Sequence, residues 1–140
     1  MFGGYTNKNN NDLWELDLSV VSFKGKGDIP GAVWNCLSQK GSIPKPRRGH
    51  KIVKVPGENN IIWYGGFTLL NEEVDQSHDN DIYVLNVLTT SWSTLNFEGD
   101  YPEPRALHCM SFFSLNKIII MGGMSIEADN SDKETPAVLD

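Results

Sequence analysis

Cysteine is nearly absent, with Cys36 and Cys109 the only two in the chain. Neither belongs to a Cys-x-x-Cys pair, so a disulfide-stapled scaffold and a thiolate metal centre are both excluded as organising principles. Each is flanked by apolar residues, which predicts a buried free thiol. No apolar run approaches the ~20 residues of a membrane-crossing helix, and the first residues lack the basic-then-apolar order of a secretion signal. Asn-x-Ser/Thr acceptors are missing too. The expectation is an intracellular, cytoplasmic chain with a nuclear place left open and no membrane partner. Basic residues are outnumbered, 12 Lys and Arg against 18 Asp and Glu for a net charge of −6. Phosphate neutralisation needs a clustered basic excess, so nucleic acid is excluded as a partner. Helical periodicity sustained over several turns is absent, as are GxSxG, HExxH and GxxxxGK[ST]. No catalytic residue, metal or cofactor is expected from these absences.

What is present is a repeat. The stretch PRRGHKIVKV (46–55) returns as PRALHCMSFF (104–113), displaced by 58 positions, and Trp34, Leu37, Gly41 and Pro44 return with the same displacement as Trp92, Leu95, Gly99 and Pro102. The pair Gly65-Gly66 returns as Gly122-Gly123 and is anticipated by Gly3-Gly4. Short apolar segments lie between turn signals: DLWELDL (12–18), HKIVKV (50–55), NIIWYGG (60–66), DIYVLNV (81–87), SWSTL (91–95), HCMSFF (108–113) and KIIIMGG (117–123). Their length and their β-branched and aromatic content predict strands. Each full unit contains an Arg-x-x-His strand (a), an apolar strand ending in Gly-Gly (b), an Asp/Asn-[Leu/Ile]-aromatic strand (c) and a Trp-centred strand (d). Four-stranded antiparallel meanders repeated in this way are the blades of a β-propeller. The unalternating IIWY and IIIM predict that strand b is covered on both faces.

The paired glycines, the aromatics Trp14 and Tyr83, the later Trp34 and Trp92, and the Pro-x-Pro-Arg-x-x-His entrances at 44–50 and 102–108 together resemble Kelch repeats. The resemblance spans nearly the whole chain and implies an all-β fold, a fragment of about two and a half four-stranded antiparallel blades. Residues 1–37 supply strands b, c and d of an incomplete blade, 47–95 a complete one, and 105–140 strands a and b with c as an option. A closed propeller needs roughly four to eight blades, so the remaining blades of the same propeller or of another chain are expected partners.

Gly3, Gly4, Gly65, Gly66, Gly122 and Gly123 are read as structural, because strand-exit glycines permit positive φ and close backbone approach. Trp34 and Trp92 are read as inter-blade fillers, Trp14 and Tyr83 as aromatics of the structural repeat, and His50 and His108 as blade-packing residues. Arg47 and Arg105 open equivalent strands and suit either an internal pair or the mouth of the propeller; in some Kelch proteins such arginines grip acidic peptides. Arg48 has no counterpart, since residue 106 is Ala. Glu72, Asp75 and His78 have divalent-cation chemistry and loosely resemble the iron triad of plant nitrile-specifier Kelch proteins, with a different spacing; a solvated polar loop is the plainer reading.

The b-to-c and d-to-a connections of such blades emerge on one side, where binding is usually built. The b-to-c loop FTLLNEEVDQSHD (67–79) is much longer than its counterpart YTNKNN (5–10) and carries Leu69, Leu70 and Val74 beside Glu72, Glu73 and Asp75. Glu98, Asp100 and Glu103 in the d-to-a connection, and Glu127, Asp129, Asp132 and Glu134 further on, continue the acidity. On the opposite side SVVSFKGKGDIPGA (19–32) is a long connection with flexible, basic Lys24-Gly25-Lys26-Gly27. The expected function is recognition of a protein or peptide, including one with basic segments, by a scaffold, targeting or substrate-recognition module. The alternative is a Kelch-type enzyme or metal-dependent specifier whose reactive residues lie in other blades.

Overall fold

The computed structural model describes residues 1–19, 31–71, 74–75 and 80–125, with side chains undescribed at 69–71 and 74–75. Among them every regular element is a strand. The first sheet is three-stranded: β1 (Phe2–Tyr5) pairs antiparallel with β2 (Asn9–Asp17), and β2 with β3 (Val33–Leu37). In the second, β5 (Lys51–Lys54), β6 (Asn60–Tyr64), β9 (Ile82–Asn86) and β10 (Ser91–Leu95) form an antiparallel meander. A short β4 (Lys40–Gly41) is added in parallel outside β10, giving the order β4-β10-β9-β6-β5. The third sheet is the antiparallel pair β11 (Cys109–Ser114) and β12 (Lys117–Met121). Within the long loop, β7 (Leu69–Asn71) and β8 (Val74–Asp75) make a small ribbon of their own.

The core is a seam between sheets. Cross-strand registry places Phe2, Leu13 and Leu37 on one face of the first sheet, and Ile61, Trp63, Leu85, Tyr83 and Trp92 on one face of the second. These two faces meet as a single apolar cluster. Phe2 is the plug: its ring centroid lies 4.9 Å from that of Trp92 and 5.9 Å from that of Trp63. β6 is buried on both faces from Ile62 to Tyr64, as its unalternating sequence requires.

Burial differs from expectation at three places among the described residues. Trp34 is 53% exposed, while its repeat equivalent Trp92 is 3% exposed. Trp92 has the first sheet laid over it, whereas Trp34 lies on that sheet's other face, cross-strand from Leu16, where no described residue covers it. Cys36 and Cys109 are exposed free thiols rather than buried ones. Both stand on the outward faces of the flanking sheets, Cys36 beside Trp34 and Cys109 cross-strand from the exposed Met121. β12 likewise differs from β6, because Ile119 and Met121 face outward and only Ile118 and Ile120 are partly covered. An identical strand pattern is buried according to what lies against it.

Candidate functional site

The Arg-x-x-His and Gly-Gly motifs recur together because they are the two halves of one joint. The Gly4 N–H donates to the Arg47 carbonyl at 2.9 Å, and the Gly66 N–H donates to the Arg105 carbonyl at 3.0 Å. Each bond ties the exit of a Gly-Gly strand to the entrance of the next sheet. A Cβ on Gly65 would collide with the Arg105 carbonyl oxygen and stand 2.8 Å from Cε1 of His108. A Cβ on Gly3 would stand 2.8 Å from the Arg47 oxygen and 3.3 Å from Cε1 of His50. Only glycine admits that approach, and both positions have positive φ, +70° and +64°. Gly122 has the same backbone form, φ +69°, with nothing within 4 Å.

Arg47 belongs to this joint and not to a binding surface. It is 2% exposed, donates from Nη1 to the Gly65 carbonyl at 3.0 Å and from Nε to the Lys45 carbonyl at 3.1 Å, and stacks over Tyr83 at 5.0 Å. A buried guanidinium needs several oxygen acceptors, and the turn before the strand and the strand exit beside it supply them. Arg105 repeats the arrangement on the Glu103 carbonyl at 3.1 Å and the Gly122 carbonyl at 3.1 Å, half-buried. Both arginines are therefore structural clamps, which removes Arg47 from the candidate binding residues and assigns Arg105 the same internal task.

The two histidines sit against the joint. His50 stacks on Trp63 and meets Phe2 edge-on, and burial, then the charges of Arg47, Lys51 and His108, lower its pKa to about 4. His108 is fully buried beside Tyr64, and burial followed by Lys51 and Arg105 lowers its pKa. Neither imidazole nitrogen of His108 finds a hydrogen-bond partner among the described residues. Both rings are neutral packing groups near pH 7. Burial likewise raises the Tyr64 pKa, partly offset by Arg105. In strands β2 and β9 the Asp-x-aromatic pattern is local, since the Trp14 indole donates to Asp12 and the Tyr83 hydroxyl to Asp81.

The connections gather at two ends. At one end the Asn80 side chain donates to the Pro102 carbonyl at 3.0 Å, and Arg48 and Phe67 exchange backbone bonds of 3.0 and 2.7 Å. Asn80, just before β9, is thus adjacent to the connection from β10 to β11. Exposed Glu98, Asp100 and Glu103 lie in that connection. At the other end the Val87 N–H donates to the Asn59 carbonyl at 2.9 Å, joining the turns after β5 and β9.

A cluster that sequence reasoning missed centres on Arg48. Its guanidinium lies 4.5 Å from the Tyr5 ring centroid and 6.0 Å from that of Phe67, and Nη1 donates to Asn9 Oδ1 at 3.5 Å. The available signal was the residue following each glycine pair, Tyr5 and then Phe67. Glu72, Glu73 and His78 lie outside the described residues, as do the side chains of Leu69, Leu70 and Asp75, the acidic residues from 127 onward and most of 19–32. Among the described residues, no group of three or more His, Cys, Asp or Glu side chains is placed to hold a metal ion.

Sheets of this order, stacked face to face through glycine joints, define a portion of a Kelch-type β-propeller. The family description KLHDC2/KLHL20/DRC7 Kelch-repeats domain matches residues 1–135, and the chain belongs to that Kelch-repeat family. It is 31% identical over 129 residues to Tip elongation aberrant protein 1 of Schizosaccharomyces pombe, covering 91% of this chain and 10% of that protein. It is 32% identical over 137 residues to human Host cell factor 2, covering 88% of this chain and 15% of that protein. A match to the N-(sulfonatooxy)prop-2-enimidothioate sulfolyase of Thlaspi arvense is 29% identical over 100 residues, 71% of this chain and 27% of the enzyme. The chain thus spans only a small part of these relatives' lengths.

Proposed function

We propose that this chain is a non-enzymatic protein-recognition module within a larger intracellular polypeptide, binding through the end that carries residues 67–80 and 97–104. The observation that carries the reading is the Asn80–Pro102 contact, which sets the residue closing the long loop against an acidic connection. Glu98, Asp100 and Glu103 are free to meet a basic or mixed segment, and complementary charge of this kind speeds encounter more than it deepens affinity. Leu69 and Leu70 supply apolar residues within the charged surroundings, the composition of an anchor inside a polar rim. Sequence places Glu72, Glu73 and Asp75 in the same loop.

The test uses the full-length protein and a partner recovered from cell extract. Changing Glu98, Asp100 and Glu103 together to their amides slows association and flattens its salt dependence, while Leu69→Ala with Leu70→Ala mainly speeds dissociation. Unchanged rates in both variants, with binding abolished by changes in 19–32, would place recognition at the opposite end.

A second reading rests on the similarity to the sulfolyase. It makes Glu72, Asp75 and His78 ligands of a divalent metal in a specifier-type enzyme. Calorimetric titration with iron(II) separates the two: a micromolar site that disappears when all three residues are changed supports this second reading, and no such site supports the first.

A further inference from the structure

Buried donors in folded chains are almost always paired, and Asn9 carries one that is not. Asn9 opens β2, cross-strand from Tyr5, and its side chain is 5% exposed. Oδ1 accepts from Arg48 Nη1 at 3.5 Å, whereas Nδ2 has no hydrogen-bond partner among the described residues. Arg48 is engaged on three sides, by Asn9, by the Tyr5 ring and by the buried Phe67 ring, and stands as a fixed charge behind the unused amide. Tyr5 is the member of the cluster that faces water, at 58% exposed.

The surroundings add positive charge. Exposed Lys8 lies in the turn before Asn9, and the bond from Arg47 N–H to the Asn10 carbonyl at 3.0 Å sets the connection carrying exposed Lys45 beside it. Asp12, the carboxylate nearest in sequence, already accepts from the Trp14 indole. One repeat on, the equivalents of Lys45 and Arg48 are Glu103 and Ala106. The same connection therefore changes sign between one sheet and the next, and the cluster sits between two sheets that are both present.

We propose that Tyr5, Asn9 and Arg48 form a subsite for a carboxylate side chain of the partner, so that the recognised segment is acidic over the 5–9 hairpin and basic over the acidic connection one sheet away. The inference rests on the reading of this end as the recognition surface and adds the charge order of what is read there. The carboxylate turns the exposed Tyr5 ring aside, accepts from Asn9 Nδ2 and meets the charge that Asn9 Oδ1 holds in place. Such charge-assisted bonds are about twice as strong as neutral ones. A neutral carbonyl would satisfy the amide and leave the guanidinium charge unused. Lys8 and Lys45 at the rim steer the acidic part of the segment toward the subsite.

The probes are capped peptides EEEEQQQQ, QQQQKKKK and EEEEKKKK carrying a neutral fluorophore, titrated into the full-length protein at low salt and followed by anisotropy. EEEEKKKK is expected to bind more tightly than either half-charged peptide. Asn9→Asp keeps the side-chain size, pairs internally with Arg48 and weakens EEEEQQQQ by about tenfold or more, the worth of a hydrogen bond to a charged group. Arg48→Gln, at a half-buried position, gives the same loss. QQQQKKKK is unchanged by either variant and is weakened instead when Glu98, Asp100 and Glu103 become amides. EEEEQQQQ binding that ignores Asn9→Asp and Arg48→Gln, or equal losses of both half-charged peptides in those variants, overturns the subsite. Tenfold tighter binding when phosphoserine replaces one glutamate overturns the carboxylate assignment in favour of a phosphoryl group. If QQQQKKKK ignores the three amides while EEEEQQQQ still depends on Asn9, the subsite stands and the acidic recognition surface fails.

Discussion

Gly65 and Gly122 make a matched pair for measuring the joint between sheets. Their φ angles are +70° and +69°, so alanine meets the same backbone penalty at both, about 1–2 kcal/mol for an L-residue in the left-handed region. At Gly122 that is the whole cost, because an added methyl enters open space. At Gly65 the methyl collides with the Arg105 carbonyl and sits 2.8 Å from His108 Cε1, and the bond from Gly66 N–H to Arg105 must yield as the sheets separate. Overpacking of this kind adds about 1–3 kcal/mol. Urea unfolding followed by near-ultraviolet circular dichroism should therefore show Gly65→Ala less stable than Gly122→Ala by that increment. Amide exchange should quicken in β11 and β12 of Gly65→Ala alone. Equal losses at the two positions would refute the joint and leave the glycines as turn formers only.

Trp92→Ala should cost about 3–5 kcal/mol, the range for a large side chain removed from a packed core, whereas Trp34→Ala should change the stability of the isolated chain by less than about 1 kcal/mol; equal losses would contradict the one-sided seam. Cys36 and Cys109 should both react with a thiol reagent without denaturant, and protection of either in the isolated chain would contradict their exposure. The folded pKa of His50, about 4, lies below its ordinary 6.5, so the unfolded chain binds the extra proton between those values. Stability is then intact above pH 6.5 and falls as pH drops toward 4, by about 1–2 kcal/mol at pH 5; urea midpoints of wild type and His50→Gln should diverge in that sense, and parallel pH profiles would refute it. Arg47→Lys should cost about 1–3 kcal/mol through lost donors in a buried site, measurable by the same unfolding experiment, and a neutral result would return Arg47 to the surface candidates.

Strand positions were legible because β-branched runs such as NIIWY are bounded by turn residues, and the repeat aligned equivalent strands. Environment was not legible, because burial belongs to neighbours. Trp34 and Trp92 share a motif position, yet only Trp92 has Phe2 against it. The cysteines misled through strand alternation, since Leu37 beside Cys36 packs on the core and Met110 beside Cys109 is partly covered while each thiol points to the other face, where no described residue is laid over it. β4 escaped notice since Lys40-Gly41 has no strand pattern, although the recurrence of Gly41 as Gly99 did mark a constrained position. The role of Arg47 stayed open between pairing and binding because its acceptors are backbone carbonyls, which no side-chain pattern announces. In the long loop Leu69, Leu70 and Val74 signalled something beyond a solvated connection, and their backbone does pair as β7 and β8.

The central functional claim is that recognition occurs at the end where Asn80 meets Pro102. Hydrogen-exchange mass spectrometry of the full-length protein, with and without its purified partner at saturation, tests it most directly. Protection concentrated in 67–80 and 97–104, with 55–59 and 87–90 unchanged, is the predicted result. Protection at 55–59 and 87–90, with the acidic connection still exchanging freely, would contradict it.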